Sequence, residues 1–230
     1  MNQLAPLLQQ KTALIVSLPA NSLELFQAAV EGGADAIKLH FNIEHRASGT
    51  SFGPTTEYTD LLAEMRERFD GSIGAVVGDS LQKVTKEEVD RLIASGIDFI
   101  SLYAHHAPGW LLSDQRIYKM LAVNGDYSES AVSAFRTLPI EMLEASIIPA
   151  QEYGDPLSIK DLLNYRWLVD RSGKPVIVPS QRDLQVEELE ALQLAGVKGI
   201  MIGAIVTGTD GPSIFDATRR FRRELDRLAE

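Results

Sequence analysis

Residues 33–42 read GADAIKLHFN, residues 96–105 read GIDFISLYAH, and residues 196–205 read GVKGIMIGAI. Each segment follows a stretch with helical periodicity and has the form Gly–apolar–polar–x–Ile–x–Leu/Ile. A glycine that ends a helix and runs straight into a short strand is an αβ corner. Its recurrence marks a βα-repeat architecture. The alignment also assigns faces. Ile37, Leu39 and Phe41 are apolar and alternate with Lys38, His40 and Asn42. Alternate side chains of a strand face opposite ways. One face therefore packs on helices, and the other holds a lysine, a histidine and an amide. Such an interior suits the mouth of a barrel better than a plain core.

Working outward, the same reading yields eight short, apolar, β-branched strands near residues 13–18, 35–41, 72–77, 98–103, 118–123, 141–147, 175–179 and 198–202. Helical segments alternate with them, with caps at Asn21 or Ser22 and at Thr85, where TKEE resembles a capping box, and a proline-led start at Pro212. Strands buried on both faces read this way. The pattern predicts a single (β/α)8 TIM barrel with a parallel eight-stranded sheet, spanning residues 1–230 as one domain. A doubly wound open sheet is the alternative.

The chain has 230 residues, a formal charge of −10 and no cysteine. The charge argues against a broad nucleic-acid or anionic-membrane surface. It leaves room for a local anion site. Lack of cysteine excludes disulfides and thiolate catalysis and fits a cytoplasmic location. The first eleven residues lack the basic region and long apolar run of a secretory signal, and no apolar stretch approaches a membrane span. Arg219, Arg220, Arg222 and Arg223 read as the solvated face of a C-terminal helix. Homo-oligomer formation is left open.

Active sites of such barrels lie at the C-terminal ends of the strands, and interior layers draw on alternate strands. The repeats place Lys38, Ser101 and Met201 at one depth. Matching strand 6, EMLEASIIP, to strand 2 adds Glu144 to that layer. The layer above would hold His40, Tyr103, Ser146 and Gly203. Lys38 and Glu144 are candidate acid/base residues, with His40 above them. A structural ion pair is the bland alternative. This register is fragile, because a one-residue slip turns Glu144 outward. His105 is in phase with Tyr103 and reaches toward the mouth, while His106 is expected to point away. Neither HxH nor HExxH spacing is present, so no metal is expected. No GxGxxG is present and no cofactor is expected, although flavin phosphate could use a barrel phosphate grip.

Strand 7 runs into PSQRD and strand 8 into GAIVTGTDGPS. In many barrels a phosphate sits between these loops, held by backbone N–H groups and a short extra helix. Residues 204–207 suit that helix, with Gly208 ending it. Ser180, Gln181, Gly203 and Ala204 are the expected phosphate contacts, with Arg182 as a nearby charge. The alternative is a turn that needs glycine for shape only. Residues 42–55, NIEHRASGTSFGPT, are long for a βα connection and rich in Gly, Ser and Thr. They are expected to form a mobile lid, with Arg46 and Ser48 reaching the substrate.

Residues 175–208 resemble the last two units of ribulose-phosphate-binding barrels. Of these, the N-acylmannosamine-6-phosphate 2-epimerases are most similar, through the strand ending GAIVTG. The resemblance covers about 35 of the 230 residues. It implies phosphate contacts by Ser180, Gly203 and Ala204. The lysine such epimerases carry after strand 3 and the acid after strand 7 are replaced here by VVGDS and PSQ. The strand-2 HxD of zinc-dependent epimerases is replaced by HFN. The sequence thus leads to an enzyme acting on a small phosphorylated substrate. Proton transfer by an isomerase or epimerase is the first reading. A Schiff-base lyase or aldolase using Lys38 is the second, and a non-catalytic regulatory barrel the third.

Overall fold

The computed structural model describes residues 3–45 and 48–229. Eight parallel strands close into a barrel. They are β1 (Ala13–Ser17), β2 (Ala36–His40), β3 (Ser72–Val76), β4 (Phe99–Tyr103), β5 (Tyr118–Val123), β6 (Met142–Ala145), β7 (Val176–Pro179) and β8 (Gly199–Ile202). β1 pairs with both β2 and β8, which closes the ring. Helices cover the outside after every strand except β4, where two 3-10 turns, Ala104–His106 and Gly109–Ser113, take the place of one. Among the described residues, no helix is long and apolar enough to cross a membrane.

The three repeated corners share one hydrogen-bond pattern. Gly33, Gly96 and Gly196 have φ of 96°, 78° and 87°, a region that disfavours residues with a Cβ. The residue after each glycine donates its N–H five positions back: Ala34 to Ala29, Ile97 to Leu92, and Val197 to Leu192. This is the Schellman closure, which satisfies carbonyls left open at a helix end. Each helix then hands the chain directly to the bottom of a strand.

Two apolar clusters result. The larger one lies between the outer faces of the strands and the helices. The smaller one fills the lower barrel with Ile15, Ala36, Phe99, Met120, Met142, Ile177 and Met201. Leu4 and Leu8 belong to it too, because a helix at Leu4–Gln10 plugs the bottom of the barrel. This helix was not anticipated. The Oγ of Ser72, at the foot of β3, accepts the N–H groups of Gln3 and Leu4 at 3.1 and 3.0 Å. The barrel thereby caps its own plug.

The expected lid takes a different form. Residues 43–45 and 50–52 pair as an antiparallel hairpin, with Ile43 opposite Phe52. Both side chains are buried, and the Phe52 ring lies 5.1 Å from that of His40. The Gly/Ser/Thr composition hid a strand alternation with an apolar base. Asn42 makes the turn into the hairpin at φ 56°, and its side chain donates to the Val77 carbonyl at 3.2 Å. Arg46 lies outside the described residues. Thr85 caps the helix Lys86–Ala94 as expected, but Glu88 does not reach back to complete a box. Its carboxylate instead accepts from the Thr55 N–H and hydroxyl at 3.3 and 2.5 Å. It also accepts from Arg91 at 2.6 Å. Burial opposes ionisation of Glu88, but these bonds to Thr55 and Arg91 hold its proton affinity below the ordinary value.

Gly74 on β3 stands in register between Lys38 and Phe99. A Cβ there would run into the Phe99 ring. That ring fills the barrel beneath the polar layer. Gly74→Ala should therefore destabilise the fold by about 1–3 kcal/mol, the usual range for overpacking. Adding Phe99→Leu should recover part of the loss, as read by chemical denaturation. An unchanged midpoint in Gly74→Ala would contradict this packing.

Candidate active site

The barrel interior changes character halfway up. Above the apolar cluster lie Ser17, Lys38, Ser101 and Glu144, all buried. Over them opens a cavity of about 990 Å³, which His40, Tyr103, Ser146 and Gly203 also line. The residues expected in both layers line this cavity, but Met201 also packs into the apolar cluster beneath, and Ser17 of β1, which was not expected, joins Lys38, Ser101 and Glu144. Ala122 pairs with Glu144, and Glu144 with Ile177, so β6 turns the carboxylate inward.

Lys38 and Glu144 meet across the barrel, with Nζ 3.2 Å from Oε2. Ser101 Oγ donates to the same oxygen at 2.7 Å, and Ser146 Oγ donates to Oε1 at 2.8 Å. Burial favours the neutral acid, but the Lys38 charge and the two hydroxyls outweigh it. Together they hold Glu144 below its usual pKa of 4.5. The carboxylate is ionised at neutral pH. Removing one member of a buried pair costs about 3–5 kcal/mol, so the pair also has a structural role.

His40 is fully buried at the top of β2. Its Nε2 lies 3.5 Å from Ser17 Oγ. Asn21 brackets its backbone, donating to the His40 carbonyl at 2.6 Å and accepting its N–H at 3.2 Å. Asn21 is thus an orienting group, while Ser22 alone caps the following helix. The sequence offered Asn21 only as a capping candidate.

Two strands round the barrel from β2, at the end of β4, Tyr103 stacks on His105 with ring centres 5.1 Å apart. His105 Nδ1 lies 3.1 Å from the Tyr127 hydroxyl. His106 does not point away as expected: it too lines the cavity. Burial, and then the charge of His105, lower its pKa from 6.5, with Asp79 acting in the opposite sense.

The β7–β8 end is built differently from expectation in three respects. The Gly203 N–H is already used, donating to Ser180 Oγ at 2.9 Å. That bond leaves the Ser180 hydroxyl proton free to donate elsewhere. The short helix forms at Ala204–Thr207, and the N–H groups of Ala204 and Ile205 head it. Gln181 turns from the grip to the β6 loop. Its Oε1 accepts from Ile148 N–H at 3.1 Å, and its Nε2 donates to the Tyr153 hydroxyl at 2.7 Å. Arg182 is buried and committed to Asp161 at 3.0 Å and Glu152 at 2.7 Å. A buried guanidinium needs such partners, so it supplies no free charge to the mouth. Ser48, at the hairpin, donates to Thr50 at 3.0 Å.

No family model matches the chain, and no curated protein matches it in sequence. Solved structures do match in shape. Thiamine phosphate pyrophosphorylase from Pyrococcus furiosus superposes with a TM-score of 0.68 at 18% identity, over 96% of this chain and 98% of that one. KGPDC from Streptococcus mutans gives 0.68 at 19% identity, over 94% and 98%. Mycobacterium tuberculosis tryptophan synthase gives 0.71 at 14% identity, over 97% and 98%. These neighbours do not bear on the narrower likeness to N-acylmannosamine-6-phosphate 2-epimerases. At such identities the likeness establishes the fold alone, a (β/α)8 barrel matched over nearly the whole of both chains.

Proposed function

We propose that this protein is an enzyme that moves a proton next to a carbonyl in a small phosphorylated metabolite, as an isomerase or epimerase. The observation that carries the reading is the Lys38–Glu144 pair, buried at the floor of an open cavity. The phosphate is assigned to the β7–β8 end, where the Ser180 hydroxyl and the N–H groups of Ala204 and Ile205 offer donors. The similar barrels, among them a thiamine phosphate pyrophosphorylase and a phosphoribosyl anthranilate isomerase, support the substrate class.

The pair's electrostatics suggest how it works. Burial is the largest influence on Glu144 and raises its proton affinity, and Lys38 is the largest influence opposing it. When a substrate oxygen draws the Lys38 ammonium away, the largest influence opposing burial is lost and Glu144 becomes a stronger base. It then takes the proton from the carbon beside the carbonyl, and Lys38 stabilises the oxyanion that forms. Return of the proton to the neighbouring carbon gives the isomer, and return to the opposite face gives the epimer. Ser101 and Ser146 hold the carboxylate in place. His40 is positioned to serve as a second proton carrier. In the Schiff-base alternative, Lys38 must give up Glu144 and attack the carbonyl. Borohydride trapping with substrate separates the two.

Two outcomes are expected. In deuterated water, a panel of phosphorylated aldoses and ketoses should contain a compound that gains one deuterium, read by mass spectrometry. Lys38→Met should slow that exchange by about 10²–10⁴, the usual worth of acid/base catalysis, while retaining affinity for the phosphate. Exchange at the wild-type rate in Lys38→Met would refute the mechanism.

The second outcome concerns pH. Glu144 has a folded pKa lowered from 4.5, so its contribution to stability is present above pH 4.5. That contribution is lost as pH falls through the lowered value. Glu144→Gln alone should lose about 3–5 kcal/mol at pH 7 by stranding Lys38. The double variant Lys38→Met/Glu144→Gln should recover most of that loss. It should also lie closer to the wild type below pH 4.5 than at pH 7. A gap that widens on acidification would show that the carboxylate is not held ionised.

A further inference from the structure

The arginines near the C-terminus have separate fates. On helix Gly211–Arg227, Arg222 is half-buried and pairs with Asp35 at 2.8 Å and Asp226 at 2.7 Å. Arg219, Arg220 and Arg223 are exposed, and among the described residues no carboxylate forms an ion pair with any of them. They occupy one face of the helix, at spacings of three and four, where like charges repel. The Arg219 guanidinium lies 5.7 Å from the Phe215 ring centre, a contact that restrains it. Together the three line a cleft of about 570 Å³ whose far wall is Val206, Thr207 and Gly208. Asp216 and Ser213 share this cleft.

We propose that this outer cleft binds a small multivalent phosphate, such as pyrophosphate or the phosphate chain of a nucleotide. Three cations around one concavity exceed the single carboxylate present and match an anion of more than one charge. The protein's charge of −10 disfavours an extended polyanion such as nucleic acid or an anionic membrane. A small anion feels only the local field, because screening limits the reach of other charges to about 8 Å at physiological salt. The site is also connected to the mouth. The turn Ala204–Thr207 has Ala204 and Ile205 in the mouth cavity, and Val206 and Thr207 in the outer cleft. An anion outside therefore touches the back of the turn assigned to the substrate phosphate.

The test is an NMR titration of amide resonances with pyrophosphate at low salt, repeated with ADP. Saturable shifts should appear at Val206, Thr207 and Gly208. The triple variant Arg219→Gln/Arg220→Gln/Arg223→Gln changes only exposed side chains and should melt with the wild type. In it the affinity read at these amides should fall at least tenfold, while any shifts at Ser180 and Ala204 persist. Equal affinity for pyrophosphate and ADP assigns the cleft to phosphates alone, and tighter ADP binding assigns it to nucleotides. Wild-type affinity in the triple variant would overturn the proposal. So would an absence of saturable shifts at residues 206–208, or arginine-dependent binding of an acidic peptide or anionic vesicles without pyrophosphate binding. A silent mouth with a responsive cleft would count against the proposed function and leave this inference standing.

Discussion

The structure turns on placing two opposite charges inside a closed sheet. A lysine and a glutamate buried at 7% and 8% side-chain exposure are tolerable only if each has the other and their remaining hydrogen bonds are met. That constraint accounts for much around them. β2 and β6 face one another across the barrel, so their inward residues can meet. Ser101 and Ser146 supply the hydroxyls the carboxylate still needs. Beneath them the barrel is filled with apolar side chains and sealed by the Leu4–Gln10 helix, which closes it to solvent from below. Both charges line the cavity at the mouth.

That asymmetry divides the fold into a sealed half and a working half. The bottom is held by three glycine corners, a plug capped by Ser72, and close packing of Phe99 against Gly74. The top is held mainly by polar ties. Asn21 brackets His40, Gln181 holds the β6 loop, and Glu88 anchors the segment after the hairpin through Thr55. Buried polar ties of this kind fix direction as well as position, because each partner loses stability if left unpaired. They provide the rigidity that a site on loop ends would otherwise lack.

The barrel was legible in the sequence because its repeats state both period and direction. Aligning Gly33, Gly96 and Gly196 put Lys38 and Ser101 at one depth, and the strand-6 match brought in Glu144. Apolar alternation carries that information whenever one face must be buried. What remained hidden has physical reasons. The plug helix is short, and only Leu4 and Leu8 mark its buried side. The hairpin shows its alternation at Ile43 and Phe52 alone, on either side of a mostly polar stretch of sequence. Gln181 and Arg182 follow a strand end, where backbone turns decide which way a side chain goes. Their partners, Ile148, Tyr153, Asp161 and Glu152, lie 20 or more residues away, and local spacing gives no sign of them.

The proposed mechanism requires Lys38 to leave Glu144 for a substrate oxygen while the phosphate sits at the β7–β8 end. A crystal structure with the compound that the exchange screen selects is the decisive test. A phosphate oxygen should lie within hydrogen-bond distance of Ser180 Oγ and the Ala204 N–H. The Lys38 ammonium should lie on the ligand's carbonyl oxygen, with its distance to Glu144 lengthened beyond 3.2 Å. A ligand bound with its phosphate elsewhere in the mouth, over an unchanged Lys38–Glu144 contact, would contradict it and leave the pair a structural element of the barrel.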